Sequence, residues 1–107
     1  MAGSLILIQE TTVSSATATV TLTGIDSTFD VYKVVYDNVQ CDTDAQNFRI
    51  RVTKSGSADT TSNYDQAYKK LDSSTTFGNR SNTNQSYWET EELGTATQEQ
   101  NNGVLYL

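Results

Sequence analysis

The chain has 107 residues, enough for one domain with one modest core. Its net charge of −6 sets an acidic surface against a phosphate backbone, which argues against direct nucleic-acid binding. With no histidine and a single cysteine it lacks an imidazole base and any intrachain disulfide. Leu5 to Gln9 reads as a first strand, its four contiguous apolar residues covered on both faces or shared with another chain. That run is far too short for a membrane span, and no basic residue precedes it as in a signal peptide, so the expectation is synthesis in a cytoplasm-like compartment with no membrane partner. Glu10 to Ser15 is a polar connection. Ala16 to Thr23 alternates small or apolar residues with Thr, the period-two pattern of a half-buried strand. Gly24-Ile25-Asp26-Ser27 carries turn chemistry: Gly tolerates positive φ, and Asp or Ser bonds back to the backbone.

Phe29 to Val39 is dense in β-branched and aromatic residues and is predicted to be a central strand. After a polar loop from Gln40 to Gln46, Asn47 to Thr53 alternates again, with Phe48, Ile50 and Val52 inward and Arg49 and Arg51 outward. Lys54 to Asn63 reads as a flexible surface loop. Tyr64 to Leu71 is two-sided. Tyr64, Ala67, Tyr68 and Leu71 match a helical stripe, but eight uncapped residues make a poor helix, and the reading leans to a strand or a short helical turn. Asp72 to Asn84 is a polar stretch broken by Phe77-Gly78, and Gln85 to Thr90, with Tyr87-Trp88, reads as a short strand. Glu91 to Asn101 has few apolar residues. Asn102-Gly103 is a two-residue hairpin signal, followed by a strand from Val104 to Leu107. The predicted core is Leu5, Leu7, Val20, Leu22, Val31, Val34, Val35, Phe48, Ile50 and Val52.

No residue pattern carries catalysis. Asp42-Thr43-Asp44 lacks the further oxygens a Ca²⁺ loop needs, and the acidic cluster Glu89-Thr90-Glu91-Glu92 has nothing to raise one carboxyl selectively for glycoside hydrolysis. Asn79-Arg80-Ser81 and Asn84-Gln85-Ser86 are chance glycosylation matches in an Asn- and Ser-rich stretch. Cys41, without a histidine partner, reads as a small half-buried residue at a strand end. The chain is therefore expected to be non-enzymatic and to need no cofactor or metal. The absence of proline, which guards sheet edges, points to edges covered by other subunits. The candidate contact residues are Leu5, Ile6, Leu7, Ile8, Tyr87, Trp88, Val104 and Tyr106. Tyr87-Trp88 is also where a host surface glycan would stack, which makes a carbohydrate-binding module the alternative reading.

Four segments, in order and spacing, resemble one family: Ser4-Leu5-Ile6-Leu7-Ile8-Gln9-Glu10, Gly24-Ile25-Asp26-Ser27-Thr28-Phe29-Asp30-Val31-Tyr32-Lys33, Phe48-Arg49-Ile50-Arg51 and Gly103-Val104-Leu105-Tyr106-Leu107. The family is that of small virion structural proteins of tailed phages, common in marine phages and described as tail-fibre, head-fibre or decoration-like. The resemblance rests on strand and turn text, with no catalytic signature. It implies an all-β fold, an antiparallel β-sandwich of jelly-roll type spanning 1–107. It also implies a place in the virion beside other capsid or tail proteins, as a homo-oligomer. Members of the family run on past the "GVLYL" strand. The expectation is that this chain is the front part of a longer protein, with the sandwich incomplete at its C-terminal end. The competing account is that the last strand completes a neighbour's sheet.

Overall fold

The protein was studied as a computed structural model, which describes residues 4–71, 77–96 and 98–107. Among these the chain is all-β, with eight strands and no helix: β1 (Lys33–Val39), β2 (Gln46–Ile50), β3 (Thr53–Lys54), β4 (Ser57–Ala58), β5 (Tyr64–Leu71), β6 (Phe77–Gln85), β7 (Trp88–Leu93) and β8 (Asn101–Tyr106). The strands form four antiparallel pairs, and the pairs are nested. The outermost, β1 with β8, encloses β2 with β7, which in turn encloses the hairpins β3–β4 and β5–β6. Tyr32 and Leu107 extend the outer ladder by exchanging both backbone bonds, each 2.9 Å.

Each of the three long ladders contains one register shift, and each shift lies beside a polar side chain that bonds a backbone group. In β1–β8 the Asn38 amide donates to Asn102 Oδ1 at 2.6 Å. In β2–β7 the Asn47 side chain donates to the Thr90 carbonyl at 2.7 Å. In β5–β6 the Asn84 amide donates to Asp65 Oδ1 at 2.8 Å. Asn38 and Asn84 also take the left-handed conformation (φ 55° and 56°), which Asn tolerates better than other non-glycine residues. A bulge frees one backbone group from the ladder, and an Asn or Asp at the right spacing re-pairs it. This gives a physical role to part of the chain's large complement of short polar side chains.

Among the described residues three are buried, Tyr32, Tyr64 and Leu93, and none of the ten predicted core residues is among them. Val34, Phe48 and Ile50 are half-buried, as the inward face of their strands should be, while Arg49 and Arg51 are exposed. Val20, Leu22, Val31, Val35 and Val52 are exposed, and Leu5 and Leu7 keep 84% and 76% of their surface. Leu5 to Gln9 and Ala16 to Thr23 do not form the two predicted strands. An alternating segment becomes a strand only when a partner ladder supplies its bonds. Here the two segments meet through the Gln9 side chain instead, whose Oε1 accepts from the Thr23 amide (2.6 Å) and hydroxyl (3.1 Å).

The predicted central strand begins only at Lys33, because Asp26 to Tyr32 is a locked turn. Asp26 Oδ1 accepts from the Thr28 amide at 2.8 Å and from the Tyr32 hydroxyl at 2.9 Å, so Tyr32 closes the turn from within the buried region. The predicted turn at Gly24 to Ser27 is present, with Gly24 at φ +81°. Lys54 to Asn63 is not a free loop throughout. Ser55 and Gly56 both have positive φ (52° and 80°), the geometry of a tight two-residue hairpin joining β3 to β4.

Tyr64 to Leu71 is a strand, and period two explains its faces. Tyr64, Gln66, Tyr68 and Lys70 point toward β7, while Asp65, Ala67, Lys69 and Leu71 face outward. Leu71, which a helical stripe would bury, is 73% exposed. Of the polar stretch 72–84, residues 72–76 lie outside the described residues and the rest is β6, which composition alone does not signal. The strand carrying Trp88 starts later than predicted and runs on through Glu91 to Leu93.

Asn102-Gly103 makes no hairpin; both residues lie inside β8, with Gly103 opposite Tyr36. A Cβ at Gly103 would overlap the Tyr36 ring, which lies over this glycine and packs on Phe48 with centroids 5.1 Å apart. The glycine serves close approach rather than positive φ, a use of Gly that a turn dipeptide conceals. The predicted final strand is present within β8.

Candidate interaction surface

The inner face of β5 meets β7 residue by residue. The Tyr64 ring stands edge-on to Trp88, centroids 5.0 Å apart, and the Trp88 indole donates to the Asp65 carbonyl at 3.0 Å. The Gln66 side chain acts as a short substitute strand on β7. Its Oε1 accepts from the Glu89 amide (2.9 Å) and its Nε2 donates to the Glu89 carbonyl (3.3 Å). The Tyr68 hydroxyl donates to Glu91 Oε1 at 2.8 Å, and Lys70 Nζ lies 3.0 Å from Glu91 Oε2. The Tyr68 bond, then Lys70, holds the Glu91 carboxyl below its usual range. In return the Glu91 carboxylate, by accepting a hydrogen bond from the neutral Tyr68 phenol, holds that phenol above its usual range.

Between β5, β7 and β8 lies an open cleft of about 460 Å³, lined by Tyr68, Trp88, Glu89, Glu91, Leu105 and Leu107 among others. Its polar groups are largely engaged: Gln66 on the β7 backbone, and Tyr68 and Glu91 on each other. What it offers an occupant is mainly apolar and aromatic surface. Trp88 is half-buried, its ring perpendicular to that of Tyr64 and its N–H on Asp65, so it ties β7 to β5 while also lining the cleft.

Tyr87, its neighbour in sequence, sits apart from the cleft. The Arg49 guanidinium lies 4.4 Å from the Tyr87 ring centre and that of Arg51 lies 5.3 Å away, with Arg51 Nε donating to the Ser86 carbonyl at 2.9 Å. The predicted contact residues thus fall into separate places. Trp88 and Tyr106 line the cleft, Tyr87 forms a cationic stack, and Val104 is an exposed residue of β8 opposite Val35. Leu5, Ile6, Leu7 and Ile8 form an exposed N-terminal arm. The sequence reading did not single out Leu105, Leu107 or Tyr68 as contact residues. Tyr68 and its period-two neighbours Tyr64 and Gln66 were the available signal.

The surface as a whole is large. The chain exposes 8772 Å², whereas a compact monomer of 11.8 kDa exposes about 5,900 Å². Its Cα radius of gyration is 15.6 Å, against about 13 Å for a compact domain of this length. Ten large apolar residues between Leu5 and Val31 are exposed, a density beyond the scattered apolar surface of ordinary monomers. Among the described residues no group of acidic and cysteine side chains is placed to hold a metal, and no helix is long and apolar enough to cross a membrane. Comparison with protein-family models, with curated proteins and with solved structures finds no match for this chain.

Proposed function

We propose that this chain is a non-enzymatic structural subunit of a tailed-phage particle, of the capsid-decoration, head-fibre or tail-fibre type, that assembles with its own copies and with other virion proteins. The observation that carries the assembly reading is the excess of exposed surface, roughly 2,900 Å² beyond that of a compact monomer of the same mass. Part of that surface is apolar, with ten large apolar side chains exposed between Leu5 and Val31, and a partner that removed them from water would stabilise the assembled state. The particle itself is proposed from the four segments that resemble virion structural proteins. The nested pairing β1–β8 around β2–β7 is compatible with a jelly-roll sandwich, in which such ladders close on one another.

A glycan platform is the less favoured reading. The Trp88 indole N–H is bonded to the Asp65 carbonyl, and the cleft's Tyr68 and Glu91 bond each other, which leaves fewer polar groups for sugar hydroxyls. Mass analysis of intact purified particles tests the proposal by reporting presence, chain length and copy number together. Stoichiometric amounts are expected, and absence from particles refutes the reading. Hydrodynamic measurement of the isolated chain should show self-association or a poorly packed species rather than a compact monomer.

A further inference from the structure

We propose that Asn102-Gly103 is a self-modification site gated by the β1–β8 ladder: chains with the ladder open convert Asn102 to aspartate and isoaspartate, and chains with it closed are protected. The inference goes beyond the assembly reading and rests only on the pairing of β1 with β8.

The sequence supplies the reactive pair, for Asn102-Gly103 is the one Asn-Gly step in the chain. An asparagine side chain can be attacked by the backbone nitrogen of the residue that follows. Glycine permits this best, having no Cβ to crowd the approach and the widest choice of backbone angles. The Gly103 nitrogen bonds to Asn102 Cγ and gives up its proton, the side-chain nitrogen leaves as ammonia, and a five-membered imide closes. Water then opens the imide at one of its two carbonyls. Opening at Cγ leaves an ordinary aspartate. Opening at the main-chain carbonyl leaves isoaspartate, whose main chain runs through the side-chain carbon. One water enters and one ammonia leaves.

The ladder engages the groups that this step needs. Tyr32 and Leu107 exchange both backbone bonds, each 2.9 Å. From there the register runs unbroken through Lys33–Tyr106, Val34–Leu105, Val35–Val104 and Tyr36–Gly103. Doubly bonded pairs alternate with unbonded ones along an antiparallel ladder, so Val34–Leu105 and Tyr36–Gly103 are the next two doubly bonded pairs. The attacking nitrogen of Gly103 is thereby tied to the Tyr36 carbonyl. The Asn102 side chain is committed across the bulge, where its Oδ1 accepts from the Asn38 amide at 2.6 Å. Ring closure also requires Asn102 to rotate out of extended backbone, and the Tyr36 ring lying over Gly103 opposes that movement. Asn102 is itself exposed, so water reaches it and the protection is one of geometry, not of burial.

The product acts back on the fold. Isoaspartate inserts one extra carbon into the main chain between positions 102 and 103. β8 then falls out of step with β1 on one side of that point, and its alternating faces no longer match. Because ammonia is lost to solution, an interval with the ladder open leaves a lasting mark on the chain.

The test compares the full chain in native buffer and in guanidinium chloride at neutral pH, with peptide mapping by mass spectrometry to score aspartate and isoaspartate at each asparagine. In denaturant Asn102 should convert faster than Asn101, whose following residue carries a Cβ. In native buffer Asn102 should convert about tenfold more slowly or less, because a reaction that needs the ladder open tracks the open population. At intermediate denaturant its rate should rise in step with hydrogen exchange at the Gly103 amide. Gly103→Ala should slow conversion in full denaturant, where its effect on folding plays no part. Purified isoaspartate-bearing chains returned to native buffer should leave the Val34 and Tyr36 amides open to exchange.

Equal Asn102 rates in buffer and denaturant overturn the proposal. So does conversion that proceeds while the Gly103 amide stays protected, or a Gly103→Ala chain that reacts as fast as the wild type in denaturant. Isoaspartate-bearing chains that regain protection at Val34 and Tyr36 overturn it as well.

Discussion

Tyr64 is the most buried of the described residues, at 3% exposure, and replacing it probes both halves of its role. Its hydroxyl donates to the Asp59 carbonyl at 2.9 Å and accepts from the Val52 amide at 3.2 Å, while its ring packs edge-on against Trp88. Tyr64→Phe keeps the ring and strands two backbone groups. An unpaired buried group costs about 1–3 kcal/mol. Val52 and Asp59 lie where water reaches, so about 1.5 kcal/mol is expected for the pair. Tyr64→Ala also removes the ring and opens a cavity beside Trp88, for about 4 kcal/mol in all. Urea unfolding at fixed chain concentration, followed by fluorescence of the single tryptophan, measures both. With a slope near the low end for small proteins, 1.5 kcal/mol moves the midpoint by roughly 1 M. If Tyr64→Phe is neutral, or if the two substitutions cost the same, the argument that one tyrosine joins β5, β7 and the Val52 turn fails.

Gln66→Ala removes both bonds to the Glu89 backbone and should cost about 1–2 kcal/mol, with hydrogen exchange at the Glu89 amide accelerating about tenfold or more. Gly103→Ala should destabilise by about 1–3 kcal/mol, since the added methyl displaces Tyr36 from its packing on Phe48; the urea midpoint reports it. Asp26 and Asp59 are each held below their ordinary value of 3.8, first by the hydroxyls and then by the amides of Thr28 and Thr61. Because the folded values lie below the unfolded ones, their stabilisation is complete above about pH 4 and fades as pH falls through the folded values. Asp26→Asn with Asp59→Asn should therefore flatten the acid limb of a stability-against-pH curve. Tyr87→Ala should cost about 0.5–1 kcal/mol by removing the face shared by Arg49 and Arg51, and Tyr87→Phe should cost almost nothing in the same titration.

Several elements were legible in the residues. β-branched and aromatic density marked β1, clean alternation marked β2, and the apolar run after Gly103 marked the end of β8. These are local properties, carried by each segment alone. The turn at Gly24 to Ser27 was legible for the same reason, because Asp26 closes it on Thr28 two residues on. The cleft was half-legible. Trp88 and Tyr106 stood out as large aromatic residues, whereas Tyr68, Leu105 and Leu107 acquire their place only when β5, β7 and β8 come together.

By itself, then, the order of residues determined the all-β class and the strands that became β1, β2 and the end of β8, because period and propensity act over a few neighbouring residues. Pairing was decided only in three dimensions. It left Ala16 to Thr23 without a ladder, made a strand of polar Phe77 to Gln85, and laid Gly103 beneath Tyr36. A strand exists where another strand answers its backbone bonds, and segments as far apart as Lys33 and Tyr106 meet through the folding of the whole chain.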